Sequence, residues 1–89
     1  MELEISKLLT LSTAHITQET CGLLDEGQAG VISYEKSEYG WLIYTKPMGT
    51  ENIPSDLRAC MELARANDCL WLALDRDGPR VSLIPSYEW

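Results

Sequence analysis

Eighty-nine residues give this chain room for one small core, so the sequence predicts a single domain over residues 1–89. With 45% hydrophobic and 24% charged residues, it resembles ordinary globular proteins and not disordered chains. Fourteen acidic residues against seven basic ones give a formal charge of -7, which repels nucleic-acid phosphates and anionic membranes. We therefore exclude direct nucleic-acid binding and expect a protein partner with a basic surface.

Neither membrane insertion nor secretion is expected. The longest apolar run, Cys69 to Leu74, is far shorter than the ~20 residues that cross a bilayer. The first residues, Met1 to Glu4, are acidic, whereas a secretory signal begins with basic residues. We predict a cytoplasmic protein without membrane contact.

The cysteines and the one histidine indicate no metal or cofactor site. Cys21, Cys60 and Cys69 lack the paired spacing of a disulfide framework or a zinc site, so we interpret them as reduced, buried thiols. The alternative is a reactive cysteine assisted by His15. A single histidine cannot supply a multi-histidine metal site, and we expect no cofactor.

In chain order, a strand is predicted within residues 3–14, followed by a helix over residues 18–26. Thr17 has the hydroxyl typical of an N-cap residue, and Gly27 can adopt the left-handed conformation that ends a helix. Residues 31–36 and 41–45 are rich in β-branched and aromatic residues and flank a turn over residues 37–40, which predicts a hairpin. Residues 47–52 are interpreted as a loop.

A second helix is predicted from Ser55, which can cap it, to about Asn67 and Asp68, where Asn tolerates the left-handed conformation. Arg58 and Glu62 are expected on its outer face. Its buried positions follow i, i+3, i+4, i+7 spacing and are Leu57, Cys60, Met61 and Ala64.

The continuously apolar residues 69–74 predict a central strand, and residues 75–78 a sharp turn. Pro79 cannot donate to a central ladder, so residues 80–83 add at most a short edge strand. The resulting order β-α-β-β-α-β predicts an α+β fold, a ferredoxin-like two-layer sandwich with two helices on one face of an antiparallel sheet.

The turn residues Asp75 and Asp77 suggest two interpretations. Paired carboxylates at a strand end occur in magnesium and phosphoryl-transfer sites, so one alternative is a small metal-dependent hydrolase that also uses His15. The spacing does not match a calcium loop, and Asp is common in turns because it bonds the local backbone. We favour the turn, and no catalytic or metal-binding residue is predicted.

All seven aromatic residues are Trp or Tyr, which combine a large contact area with a polar group and therefore suit a binding surface. Core packing within strands is sufficient to explain the presence of Trp41, Tyr44 and Trp71. A turn and a tail have less core available, so the partner-binding residues are predicted to combine aromatic and acidic positions: Glu35, Glu38, Tyr39, Asp75, Asp77, Tyr87 and Trp89.

Four segments carry a family resemblance: residues 12–17 (STAHIT), 38–41 (EYGW), 53–57 (IPSDL) and 74–79 (LDRDGP). Together they resemble an uncharacterised family of small acidic bacterial proteins carried on phages, plasmids and integrated elements. The resemblance implies an accessory protein of mobile DNA and carries over no catalytic residue.

By analogy with such accessory proteins, we expect a non-enzymatic inhibitor of a basic, nucleic-acid-handling host complex of the CRISPR or restriction type. Strict DNA mimicry is the less favoured form, because the carboxylates are dispersed along the sequence. Besides the hydrolase, a homodimeric module that pairs through a strand edge is the remaining alternative, so both a monomer and a homodimer are compatible with the sequence.

Overall fold

A computed structural model describes residues 7–37, 40–45 and 53–87, without the side chains of residues 36 and 37. A short 3-10 helix, Thr13–His15, follows the first strand. The other elements, in chain order, are β1 (Leu8–Ser12), α1 (Gln18–Asp25), β2 (Ser33–Ser37), β3 (Gly40–Tyr44), α2 (Ser55–Ala66) and β4 (Trp71–Asp75).

The four strands form one sheet in the order β1-β4-β3-β2. The predicted α+β class and β-α-β-β-α-β order are confirmed, and so is the hairpin, in which β2 and β3 are antiparallel. The sheet is mixed and not purely antiparallel, because β1 pairs with β4 in parallel.

The positions of β1 and β4 are exchanged relative to a ferredoxin-like sheet, in which the first strand lies inside and the last at an edge. The burial of the two strands explains this difference. Leu72, Ala73 and Leu74 of β4 are all fully buried, as expected for an inner strand, whereas Leu8 of β1 is 51% exposed. The most apolar strand therefore takes the inner position.

One face of the sheet packs against the helices. Leu11, Leu72 and Leu74 belong to the same core cluster as the buried residues of both helices. The apolar positions predicted for α2 are all confirmed as buried, and Arg58 and Glu62 are exposed as expected. The buried residues contributed by the helices are Cys21, Leu24, Leu57, Cys60, Met61 and Ala64.

The start and end of α1 follow the sequence prediction. The Thr17 hydroxyl accepts a hydrogen bond from the Thr20 backbone N–H at 3.2 Å, which confirms the N-cap. Gly27 has φ 69°, and the Gln28 N–H donates to the Leu23 carbonyl at 2.8 Å. This bond across the left-handed residue is that of a Schellman motif.

The ends of α2 differ from the prediction by one residue each. Pro54, and not Ser55, occupies the N-cap position, because the fixed φ of proline suits the extended backbone of a cap. At the other end Asp68, and not Asn67, adopts the left-handed conformation with φ 59°. The Cys69 N–H then donates to the Ala64 carbonyl at 2.8 Å, as in a Schellman motif.

The first and last strands are shorter than predicted. The first strand covers only residues 8–12 of the predicted 3–14, of which 3–6 lie outside the described residues, and the last strand covers 71–75 and not 69–74. Residues 80–83, all described, form no strand. The turn over residues 75–78 is confirmed by a hydrogen bond of 2.9 Å from the Gly78 N–H to the Asp75 carbonyl.

Candidate functional site

The face of the sheet opposite the helices is lined by apolar and aromatic side chains. Successive side chains of a strand alternate between the two faces, so the strand register assigns these residues to the same side. None of them belongs to the core cluster shared with the helices. We call this surface the outer face and define it by Leu8, Thr10, Tyr34, Leu42, Tyr44, Trp71 and Ala73.

Three aromatic rings on the outer face form a contiguous group across β2, β3 and β4. The Trp71 ring centroid lies 5.2 Å from that of Tyr44 and 6.3 Å from that of Tyr34. Both are ordinary separations for interacting aromatic rings. Tyr34 is nevertheless 58% exposed, and Leu8, which pairs with Trp71 in the register, is 51% exposed. The outer face is therefore an apolar surface in contact with solvent.

The sequence interpretation of the aromatic residues is only partly correct. Trp41 packs against the core cluster, as expected. Tyr44 and Trp71 lie on the outer face instead, and Tyr34 was not predicted to belong to a binding surface. The sequence does contain a signal for the position of Trp71, because Leu72 and Leu74 alternate with Trp71 and Ala73 along the strand. That alternation places Trp71 opposite the buried leucines.

The predicted acidic residues lie toward one end of the sheet. Glu35 is exposed on β2, Asp75 is half-buried at the end of β4, and Asp77 is exposed in the following turn. Gly40 pairs with Asp75, so the first residue of β3 lies beside the start of the Asp75 turn. The predicted residues Glu38, Tyr39 and Trp89 lie outside the described residues.

The Asp75 carboxylate takes part in its own turn, as the turn interpretation predicts. Its Oδ1 accepts a hydrogen bond of 2.9 Å from the Asp77 N–H. A Cβ atom at Gly78 would lie 2.6 Å from the Leu11 carbonyl oxygen, so only glycine fits where this turn passes β1. Within the described part of the chain, no group of three or more His, Cys, Asp or Glu residues could hold a metal ion.

His15 is buried and connects the core to the C-terminal residues. It is 1% exposed, its Nδ1 lies 2.8 Å from the Pro85 carbonyl oxygen, and its Nε2 accepts from the Val81 N–H at 3.0 Å. Tyr87, another predicted partner-binding residue, is half-buried and donates its N–H to the Ala14 carbonyl at 2.7 Å. Tyr87 therefore lies apart from the outer face and contacts the segment that follows β1.

A groove of about 200 Å³ lies between α2 and the C-terminal residues. The lining residue Asp56 accepts hydrogen bonds from the Thr17 N–H at 2.7 Å and from the Thr20 hydroxyl at 2.8 Å. Its carboxylate is thus used to join the two helices. The lining residues are His15, Ser55, Asp56, Ala59, Ile84, Pro85 and Tyr87.

The three cysteines are free and buried, as the sequence predicts. Burial, assisted by nearby carboxylates, raises the pKa of Cys21 to about 11 and that of Cys60 to about 12. Both thiols are therefore protonated at neutral pH, whereas a nucleophilic cysteine needs its thiolate form.

Comparisons with known proteins identify a family without assigning an activity. No curated protein and no solved structure matches the chain significantly. No helix in residues 7–37, 40–45 and 53–87 is long and apolar enough to cross a membrane. Residues 8–89 match the C-terminal domain of a family of unknown function, DUF5983. With most of its length matched, the chain belongs to the DUF5983 family.

Proposed function

We propose that this protein is a non-enzymatic binding protein that docks its outer face onto a basic partner protein. The observation that carries this proposal is the exposure of Tyr34, 58%, within a group of aromatic rings on the face of the sheet opposite the helices. Exposed contiguous apolar surface is typical of interaction sites, and Tyr and Trp contribute strongly to binding energy.

The size of the outer face indicates that the interface extends beyond it. Four strands of five residues cover roughly 17 by 19 Å, or about 300 Å². A protein interface of standard size buries about 800 Å² on each partner. We therefore place additional contacts on the neighbouring acidic end of the sheet, at Asp75 and Asp77, whereas Glu35 pairs with Trp41 and lies on the helix side of the sheet.

The charge of the chain favours a basic partner over a second copy of itself. Two copies, each with a formal charge of -7, repel one another, whereas a basic surface is attracted. Proteins that handle nucleic acids have such surfaces because they contact phosphates. Occupying that surface would inhibit them, so a host complex of the CRISPR or restriction type is the partner class we propose.

The test compares an outer-face variant with a matched control. Tyr34→Ser removes the exposed ring of the outer face, and Leu83→Ser removes an apolar side chain that is 76% exposed in the C-terminal residues. Tagged wild-type protein and both variants are used to capture partners from a host lysate. A captured basic protein is then purified, and its affinity and nucleic-acid activity are measured with each variant.

The proposal predicts that wild type and Leu83→Ser bind and inhibit the same basic protein, whereas Tyr34→Ser binds it at least tenfold more weakly. Equal affinity of all three proteins for the partner would exclude the outer face as the binding surface. Binding without inhibition would leave docking intact and contradict the inhibitor role. Light scattering at two concentrations detects the homodimer alternative, in which two copies pair through a strand edge.

A further inference from the structure

Among the described contacts that attach the C-terminal residues 79–87 to the core, two are made by the His15 ring. Residues 79–87 contain no helix or strand, and most are exposed. Val81 and Ile84 pack against the core cluster. The Ser12 N–H donates to the Pro79 carbonyl at 2.8 Å, the Tyr87 N–H donates to the Ala14 carbonyl at 2.7 Å, and the His15 ring bonds to Pro85 and Val81. A segment with so little buried surface belongs to the least stable part of a fold.

The two partners of His15 determine which ring nitrogen carries the hydrogen atom. A carbonyl oxygen only accepts, so Nδ1, 2.8 Å from the Pro85 oxygen, must be the N–H donor. A backbone N–H only donates, so Nε2, which faces the Val81 N–H, must hold a lone pair. We call the arrangement in which residues 81–87 contact the core the attached state. It therefore requires the neutral imidazole with its hydrogen on Nδ1.

Protonation of the ring is incompatible with this arrangement. A proton on Nε2 would point at the Val81 N–H, so an accepted hydrogen bond would become a contact between two donors. The added charge would also be buried, since His15 is 1% exposed. Both effects oppose the attached state, and the second contributes generally to acid unfolding.

We propose that His15 is a pH-sensitive latch that holds residues 81–87 against the core when neutral and releases them when protonated. The release would remove Ile84, Pro85 and Tyr87 from one side of the groove, leaving Ser55 and Asp56 at the start of α2 more accessible. The latch lies apart from the outer face and does not depend on the proposed binding function.

Other titratable and charged groups surround His15, from α2 and from the C-terminal residues. From α2, the Asp56 carboxylate lines the groove, and Cys60, whose pKa burial raises to about 12, donates its thiol to the His15 carbonyl. From the C-terminal residues, Tyr87 lines the groove and Arg80 adjoins Val81. The His15 ring is the side chain that accepts from the Val81 N–H, so replacing His15 separates its contribution from that of these neighbours.

The test measures backbone order by NMR in the full chain as the pH is lowered from about 7.5 to about 5, the range in which histidine serves as a charge switch in proteins. We expect order parameters of the Val81, Leu83 and Tyr87 amides to fall from about 0.85 to below about 0.6. The Leu72 amide in β4 should stay rigid. If it loosens in parallel, the transition is global unfolding and the latch is excluded.

His15→Gln is the matched variant, because its side chain offers an NH₂ donor group and a carbonyl acceptor without titrating. Its C-terminal residues should remain ordered at both pH values, and the same pH transition in this variant would overturn the proposal. The ¹⁵N chemical shifts of the wild-type ring give an independent test that needs no variant. They should show hydrogen on Nδ1 alone at the higher pH, and hydrogen on Nε2 there would contradict the latch.

Discussion

Thr20 and Asp56 join α1 to α2 although they are 36 positions apart in the sequence. The Thr20 hydroxyl, on a residue that is 2% exposed, donates to the carboxylate at 2.8 Å. Thr20→Val keeps the side-chain shape and removes this bond. Because the acceptor is charged, we expect the free energy of unfolding, measured by urea denaturation, to fall by about 1.5–3 kcal/mol.

The control for this variant is the same substitution at Thr10 in β1, a half-buried strand position. Valine is favoured in strands, so Thr10→Val should change the free energy of unfolding by less than about 0.5 kcal/mol. Equal losses at the two positions would show that the bond to Asp56 contributes nothing specific.

Glu35 is exposed, so its charge should affect binding more than folding. Reversing the charges of both predicted residues, as Glu35→Lys with Glu38→Lys, should weaken binding of a basic partner and leave the melting curve nearly unchanged. Leu57→Ala is the opposite case: Leu57 is fully buried, and the substitution should lower the free energy of unfolding by about 2–5 kcal/mol. Unchanged affinity of the reversed variant, or loss of its cooperative unfolding, would remove this hairpin from the recognition surface.

Individual residues differ in how far the sequence predicts them. Burial of Leu57 and Cys60 follows from helical spacing within one element. The ring group of Tyr34 and Trp71 depends on which strands are neighbours, and so do the contacts of His15 with residues 66 and 70 positions away. Local patterns cannot predict such contacts, because they arise from pairing between distant segments.

Two glycines in regular elements should respond oppositely to substitution by alanine. A Cβ atom at Gly22 in α1 meets nothing within 4 Å, so Gly22→Ala should stabilise the helix by about 0.5–1 kcal/mol. A Cβ atom at Gly40 in β3 would collide with the Leu74 carbonyl oxygen, so the backbone of β3 or β4 must move. Gly40→Ala should therefore lower the melting temperature, while Gly22→Ala should raise it.

This pair of variants also tests the register of β3 against β4, because Gly40 lies opposite Asp75 only in the described pairing. Thermal unfolding followed by circular dichroism is sufficient. A Gly40→Ala protein as stable as wild type would contradict the close approach of these two strands.

At the scale of elements, local signals predict the helices and the hairpin well. Thr17 and Gly27 bound α1 as expected, because capping depends on a few adjacent residues. The ends of the strands are less predictable, since strand length depends on hydrogen bonds to a partner strand. Residues 69 and 70 look like a strand by composition, yet the Leu70 and Trp71 N–H groups both donate to the Lys7 carbonyl before regular pairing begins.

For the whole molecule, the charge of -7 predicts that association with a basic partner depends on salt. Electrostatic attraction accelerates encounter, and added salt screens it within about 10 Å at 0.1 M. The association rate constant, measured by surface plasmon resonance, should fall as sodium chloride rises, while the dissociation rate constant changes little. An association rate independent of salt would contradict electrostatic steering.

The overall class was predictable because it depends only on the order of elements along the chain. The strand order was not, since placing β1 beside β4 is a choice between distant partners. The apolar pattern could have guided that choice, because β4 is apolar at four consecutive positions, Trp71 to Leu74, and therefore suits the interior of the sheet.

The pairing of β1 with β4 also bears on the order in which the protein folds. β2, β3 and β4 are neighbours in the sheet in the same order as along the chain, whereas Leu8 must find Trp71, 63 positions away. Closing that long loop costs chain entropy, so β1 should join after the folding transition state has formed. Leu11→Ala should accelerate unfolding and hardly slow folding, whereas Ile43→Ala in the hairpin strand β3 should slow folding, as measured from the two arms of a chevron plot. A Leu11→Ala protein that folds markedly more slowly would place β1 in the folding nucleus instead.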